Sequence, residues 1–142
     1  MDHVQAATTP VLTIEGARAT IRLNRPAHLN RIEPDDILAL DEMLDRIGAD
    51  REIRVMVLTG TGRAFSSGYH IGDLATRQSS AAREEETDGE RPFERLTNKL
   101  ENLRVPTICR LNGSVYGGAT DLALCCDFRI GVAGMEMFMP AA

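Results

Sequence analysis

Two short strand-like runs open the pattern of hydrophobic and polar positions, Val11–Glu15 and Ala19–Leu23. They flank Gly16 and predict a β-hairpin. The stretch "NRPAHLNRIEP" follows as a loop, with Pro26 and Pro34 as breakers. Asp35 and Asp36 then open a helix, where acids complement the positive end of the helix dipole. Ile37, Leu40, Leu44 and Ile47 repeat at helical spacing on one face, and Gly48 suits its end. "RVMVLTG" predicts a buried strand that stops at Gly60. Thr61–Ile71 is polar, glycine-bearing and loop-like.

From Ala75 to Arg91 the chain is charged and rich in Ser and Ala, which predicts a solvated helix or, for part of it, a mobile loop. Phe93, Leu96, Leu100 and Leu103 mark an amphipathic helix, with Pro92 suited to its first turn. "VPTICRLNG" predicts a strand, a glycine turn follows, and Asp121–Cys126 is helical. "DFRIGVA" predicts the next strand and "MFMP" the opening of another. Strands alternating with helices imply an α/β protein with ββα-type layering.

Composition narrows the class without naming a chemistry. The 142 residues are 43% hydrophobic and 26% charged, which fits a globular chain with a real core. A net charge of −5 argues against a nucleic-acid partner but not against an anionic ligand, since backbone amides bind anions whatever the net charge. No apolar run approaches the length that spans a bilayer, so no membrane partner is expected. The opening "MDHVQAATTP" lacks the basic start and apolar centre of a signal peptide, and residues 1–10 read as a flexible tail. Three cysteines, two adjacent and none in CxxC spacing, fit a reducing cytoplasm better than disulfides or zinc. They are expected as small buried hydrophobes, and no metal site is expected.

The chemistry concentrates in "NGSVYGGATDLALCCD". A strand passing through paired glycines into a helix leaves backbone N–H groups without partners. Gly118 N–H is thus a candidate donor to an oxygen that becomes negative during reaction. Gly117 and Gly118 also suit a plain tight turn. Asp121 reads either as a helix-start cap or as an acid/base held beside the donor. A second glycine loop after an apolar strand, "GRAFSSGYHIGDL", is able to supply a second converging donor. Ser66 or Ser67 with His70 and Asp121 would also make a hydrolase triad. The chain lacks a GxSxG elbow, and a serine so close in sequence to its base is poor geometry.

"AFSSGYHIGDL" followed by "VPTICRLNGSVYGGATDLALCCDFRI" resembles the enoyl-CoA hydratase/isomerase family, the crotonase superfamily. That family's loops look like AFxAGxDL and PxIAAVNGxxxGGGxELALxCDxRIA. "TIRLNRPAHLN" is similar to its early LNRPxxLNAL segment. The three motifs occur in order over nearly the whole chain from about Val11. The resemblance implies a crotonase-like spiral of ββα units, with residues 1–142 as one partial domain ending before a C-terminal helical region. It implies an acyl-CoA thioester substrate, a homotrimer or homohexamer for a full-length chain, and no separate cofactor, because coenzyme A belongs to the substrate. Tyr69 N–H and Gly118 N–H would hold the thioester oxygen as an enolate forms. Ser67, Tyr69, His70, Ile71, Gly72, Gly117 and Gly118 would line the substrate path, with His28 and Leu29 near the nucleotide end.

Departures from the family pattern shape the expected activity. Asp121 fills the slot of a hydratase glutamate and keeps the charge with one methylene less reach. "MFMPAA" puts Ala141 where FGxPE carries a second glutamate, and alanine transfers no proton. His70 stands where an aspartate is common; a histidine there offers a proton near neutral pH or simply faces solvent. "GSVYGGATDL" also resembles the GSVWGGAxEL pattern of methylmalonyl-CoA decarboxylase-like members. Enoyl-CoA hydratase is the first implied activity. An isomerase, a decarboxylase-like enzyme and a non-catalytic acyl-CoA-binding chain are the alternatives.

Overall fold

A computed structural model describes residues 7–68 and 91–139. Strands β1 (Val11–Glu15) and β2 (Arg18–Leu23) form the expected antiparallel hairpin, with Gly16 at φ +59° in the turn. β3 (Val55–Gly60), β4 (Thr107–Leu111) and β6 (Phe128–Gly131) extend the sheet in parallel, in the order β1-β2-β3-β4-β6. The predicted strands are trimmed at their ends: "VPTICRLNG" contributes only its centre and "DFRIGVA" its middle four residues. β5 (Val115–Tyr116) was expected within a turn and instead pairs in parallel with β7 (Met137–Phe138) as a separate two-stranded sheet. The isolated bridge Ser66↔Val115 adds the loop after β3 to its other side.

Helix α1 (Pro34–Ala49) starts one residue before the expected acids, because Pro34 fits the first helical position, where no N–H is needed. Asp36 is buried, and its carboxylate accepts Glu33 N–H at 2.9 Å and Arg25 Nε at 3.0 Å. α2 (Pro92–Glu101) buries Leu96 and Leu100, while Leu103 packs half-buried beyond its end. α3 (Gly118–Cys125) buries Ala119, Thr120, Leu122 and Ala123. α1 packs on α2 and α2 on α3. Ile21, Met56 and Leu58 of the sheet meet Leu40, Leu44, Leu96, Leu100 and Leu122 of the helices in one core.

Of the expected N-terminal tail, residues 1–6 lie outside the described residues; Thr8 N–H donates to Asn24 O at 2.9 Å and Pro10 is buried. The charged run is described only at Arg91. Cys109 and Cys126 are buried, Cys125 is half-buried, and all three are free thiols. No helix among the described residues is long and apolar enough to cross a membrane.

Candidate active site

The start of α3 is built around a backbone that only glycine adopts readily. Gly117 takes φ +59° and ψ −139°, a region essentially closed to side chains. Its N–H donates to Phe138 O at 3.0 Å, which ties the turn to β7. With the chain redirected at Gly117, the helix begins at Gly118, three residues earlier than Asp121. Among the described residues Gly118 N–H has no hydrogen-bond partner. It lies at the positive end of the α3 dipole, where a developing negative charge is favoured.

Asp121 is therefore not the cap of this helix. Gly117 occupies the cap position, and no side chain caps the first turn. Asp121 sits three residues after Gly118, so the two share a helix face. Its side chain is half-buried and, among the described residues, forms no hydrogen bond or ion pair. A carboxylate in that state is chemically available beside an unpartnered amide. The Cys125 and Cys126 thiols stand at the opposite end of α3; burial, then the charge of Glu101, pushes the Cys125 thiol up.

The loop after β3 comes against this turn. Gly68 has φ +88°, and a methyl built on it would stand 2.8 Å from Tyr116 O and 3.5 Å from Gly117 Cα. The two glycine loops thus touch backbone to backbone. The early loop joins them: Leu29 O accepts Ser67 N–H at 2.8 Å, and Ile32 N–H donates to Gly68 O at 2.8 Å. His28 is exposed at the end of a short 3₁₀ turn, Pro26–His28. Leu29 is half-buried in the left-handed region at φ +52°. The early loop at Leu29, the loop at Ser67–Gly68 and the turn at Gly117 therefore adjoin one another. Tyr69, His70, Ile71, Gly72 and Ala141 lie outside the described residues.

The Ser66 triad does not survive the geometry. Ser66 is fully buried, its hydroxyl donates to Asn30 O at 2.7 Å, and the same oxygen accepts Gly68 N–H at 3.0 Å. Sequence reasoning passed over two asparagines that shape this region. Asn30 Nδ2 donates to Thr61 O and Ala64 O, both at 2.9 Å, and its Oδ1 accepts Arg25 N–H at 2.8 Å. Asn112 Oδ1 accepts Gly60 N–H at 3.0 Å, and its Nδ2 donates to Gly62 O and Ala64 O. An asparagine side chain is able to satisfy several backbone groups at once, but its type alone does not set either of these apart from a solvated loop asparagine.

The sequence pattern of the family described as enoyl-CoA hydratase/isomerase matches residues 13–139. A crotonyl-CoA hydratase of Syntrophomonas wolfei is 30% identical over 131 residues, covering 92% of this chain and 49% of the relative. A 1,2-epoxyphenylacetyl-CoA isomerase of Escherichia coli is 32% identical over 126 residues, covering 89% and 48%. Among solved structures, an enoyl-CoA hydratase/carnithine racemase of Magnetospirillum magneticum superposes with a TM-score of 0.85 at 31% identity, covering 96% of this chain and 51% of that one. The chain spans about half the length of the curated relatives it matches. With its central sheet, its touching glycine loops and a family match over most of its length, the chain belongs to the enoyl-CoA hydratase/isomerase family of the crotonase superfamily.

Proposed function

We propose that this chain carries the thioester-binding half-site of an enoyl-CoA hydratase, with Gly118 N–H as one oxyanion donor and Asp121 as the proton-transfer group. The single observation behind this reading is the Gly118 amide, unpartnered among the described residues, with the uncommitted Asp121 carboxylate one turn along the same helix face. Relatives named as hydratases and as an isomerase support thioester chemistry in general. The amide of Tyr69, next in the chain after Gly68, is the second donor in this proposal. In hydration, Asp121 takes a proton from water as the water oxygen bonds to C3 of the enoyl group. The C2–C3 π electrons move toward the thioester, whose oxygen becomes negative between the two amides. The enolate then takes that proton at C2 from Asp121, giving the 3-hydroxyacyl thioester and returning Asp121 to its carboxylate form. Preorganised amides at that oxygen hold it more strongly as charge develops, so they lower the barrier rather than merely bind.

An acyl-CoA thioester as substrate, with no separate cofactor, a homotrimer or homohexamer as assembly, and the cytoplasm as location complete the reading. The exposed apolar residues of β6 and β7 support an assembly with further protein surface. The test is loss of the conjugated enoyl absorbance of crotonyl-CoA. Asp121→Asn is expected to lower kcat about 10²–10⁴-fold, the range for removing a positioned acid/base. Carbon dioxide release from methylmalonyl-CoA without crotonyl-CoA turnover would replace hydration by decarboxylation at the same oxyanion site. Acyl-CoA binding with neither reaction would leave a binding protein.

A further inference from the structure

We propose that Ser66, backed by Asn30, is the positioning residue of the oxyanion site, holding Gly68 against Gly117 so that the first turn of α3 presents Gly118 N–H at one fixed place. The inference rests on the oxyanion reading above. Ser66 is fully buried and uses every polar group it has. Its hydroxyl donates to Asn30 O at 2.7 Å and accepts Gly68 N–H at 3.0 Å. Its carbonyl accepts Tyr116 N–H at 3.0 Å, and its own N–H lies 3.4 Å from Ser114 O. One residue thereby links the early loop, the loop after β3 and the strand leading into α3.

The hydroxyl has a specific task in this arrangement. A serine bonding the N–H two residues ahead stabilises a tight turn. The turn it stabilises is the one that puts Gly68 at φ +88° with its Cα against Gly117, where a single added methyl would strike Tyr116 O. Asn30 makes the anchor rigid. It is 1% exposed, sits in the left-handed region at φ +52°, and is held there by three side-chain hydrogen bonds to Arg25, Thr61 and Ala64. Leu29 before it has the same φ of 52°. Two successive non-glycine residues in that region persist only where surrounding bonds over-determine them. Ser66 Oγ is one of those bonds. Deleting it leaves Gly68 N–H unpartnered in a buried place and lets the two glycine loops slide relative to each other. A displacement of about 1 Å at a reacting centre costs on the order of 100-fold in rate, while binding through remote groups survives.

The experiment compares wild type, Ser66→Ala and Ser66→Thr, each bound to butyryl-CoA carrying a ¹³C=O thioester. Isotope-edited infrared spectroscopy reads the thioester carbonyl, whose stretch falls as the oxyanion donors polarise it. The expected result is a clear downshift in wild type that is mostly lost in Ser66→Ala, with Kd changed less than about threefold because remote contacts are kept. Crotonyl-CoA turnover should show kcat lowered about 10–100-fold with KM little changed, and Ser66→Thr should restore both readouts. A purely packing role for Ser66 would leave the carbonyl frequency where it is. A Ser66→Ala protein that keeps the full downshift overturns the proposal while leaving the oxyanion reading intact. A wild type that binds butyryl-CoA without any downshift removes both. Should Ser66→Ala fail to fold, amide exchange in the wild type decides: Gly68 N–H must be strongly protected, and exchange at the rate of an open amide overturns the proposal.

Discussion

β2 and β6 belong to the same sheet, and each pairs in parallel with a neighbour, yet their surroundings are opposite. In β2, Ile21 is 1% exposed; in β6, Phe128 and Ile130 are each 62% exposed. The residue types do not explain the difference, since Phe and Ile are at least as apolar as the buried set. The covering layer does. α1, α2 and α3 lie over the centre of the sheet, whereas among the described residues Phe128 and Ile130 of β6, the adjoining Val132, and Met137 and Phe138 of β7 stay exposed. Apolar patterning thus announces that a strand expects a cover, and tertiary structure decides whether this chain supplies it. The candidate site lies where the two regions join, with Gly117 bonded to β7 and Gly68 bonded to the early loop.

The largest expected effect contrasts the two strands directly. Ile21→Ala removes a fully buried side chain from the meeting point of sheet and helices, and is expected to cost about 2–5 kcal/mol. Phe128→Ala deletes a larger side chain and, in the unassembled chain, is expected to stay within about 0.5 kcal/mol, as for other exposed positions. Urea unfolding of both variants measures it. A Phe128→Ala cost equal to that of Ile21→Ala would mean that β6 is covered in solution, and the contrast between the regions would fall.

A middle-sized effect is expected from two glycines. A methyl on Gly113 would overlap the Arg63 carbonyl, which is backbone and is fixed by the neighbouring bonds of Asn112. A methyl on Gly131, in β6, would meet Met135 Sδ at 2.7 Å, the movable part of a flexible side chain. Gly113→Ala should therefore cost about 1–3 kcal/mol, as overpacking does, and Gly131→Ala close to nothing. Equal losses in thermal unfolding would show that the β6 edge is as rigid as the centre.

The same contrast explains what was legible in the sequence. The helical spacing of Ile37, Leu40, Leu44 and Ile47 predicted a buried face, and all four are buried, because periodicity reports a local property. The pairing of glycines with Asp121 was visible for the same reason. Its geometry was not: the cap reading failed because Gly117 reverses the chain through a backbone bond to Phe138, 21 positions away. β5 was hidden inside a turn since two residues carry no period, and its strand character comes from β7 and Ser66. Asn30 was unreadable because its side chain bonds Thr61 and Ala64, and nothing local distinguishes it from a solvated loop asparagine. Ser66 or Ser67 as a nucleophile was disfavoured on spacing alone; the burial of Ser66, which gives it a structural task instead, was not visible.

The smallest expected effect separates two arginines that do the same job in the two regions. Arg104 donates to Ile47 O, Gly48 O, Asp50 O and Ile53 O, closing the C-terminal end of α1 from a position 51 or more residues away. Arg129 donates to Ala123 O, Leu124 O and Cys126 O at the end of α3, from within six residues. Both place a cation on carbonyls at and just beyond the C-terminal end of a helix, which complements the helix dipole. Arg104 also fastens α1 to the chain entering β3, so its loss frees two elements at once. Arg104→Ala should cost about 1 kcal/mol and Arg129→Ala a few tenths, within the range for a charged cap. Lysine restores charge without the planar fork, so Arg104→Lys should recover less than half of the loss. Full recovery by lysine would mean that charge alone holds the end of α1, and in that case 1 M salt should erase the difference between Arg104 and Arg129.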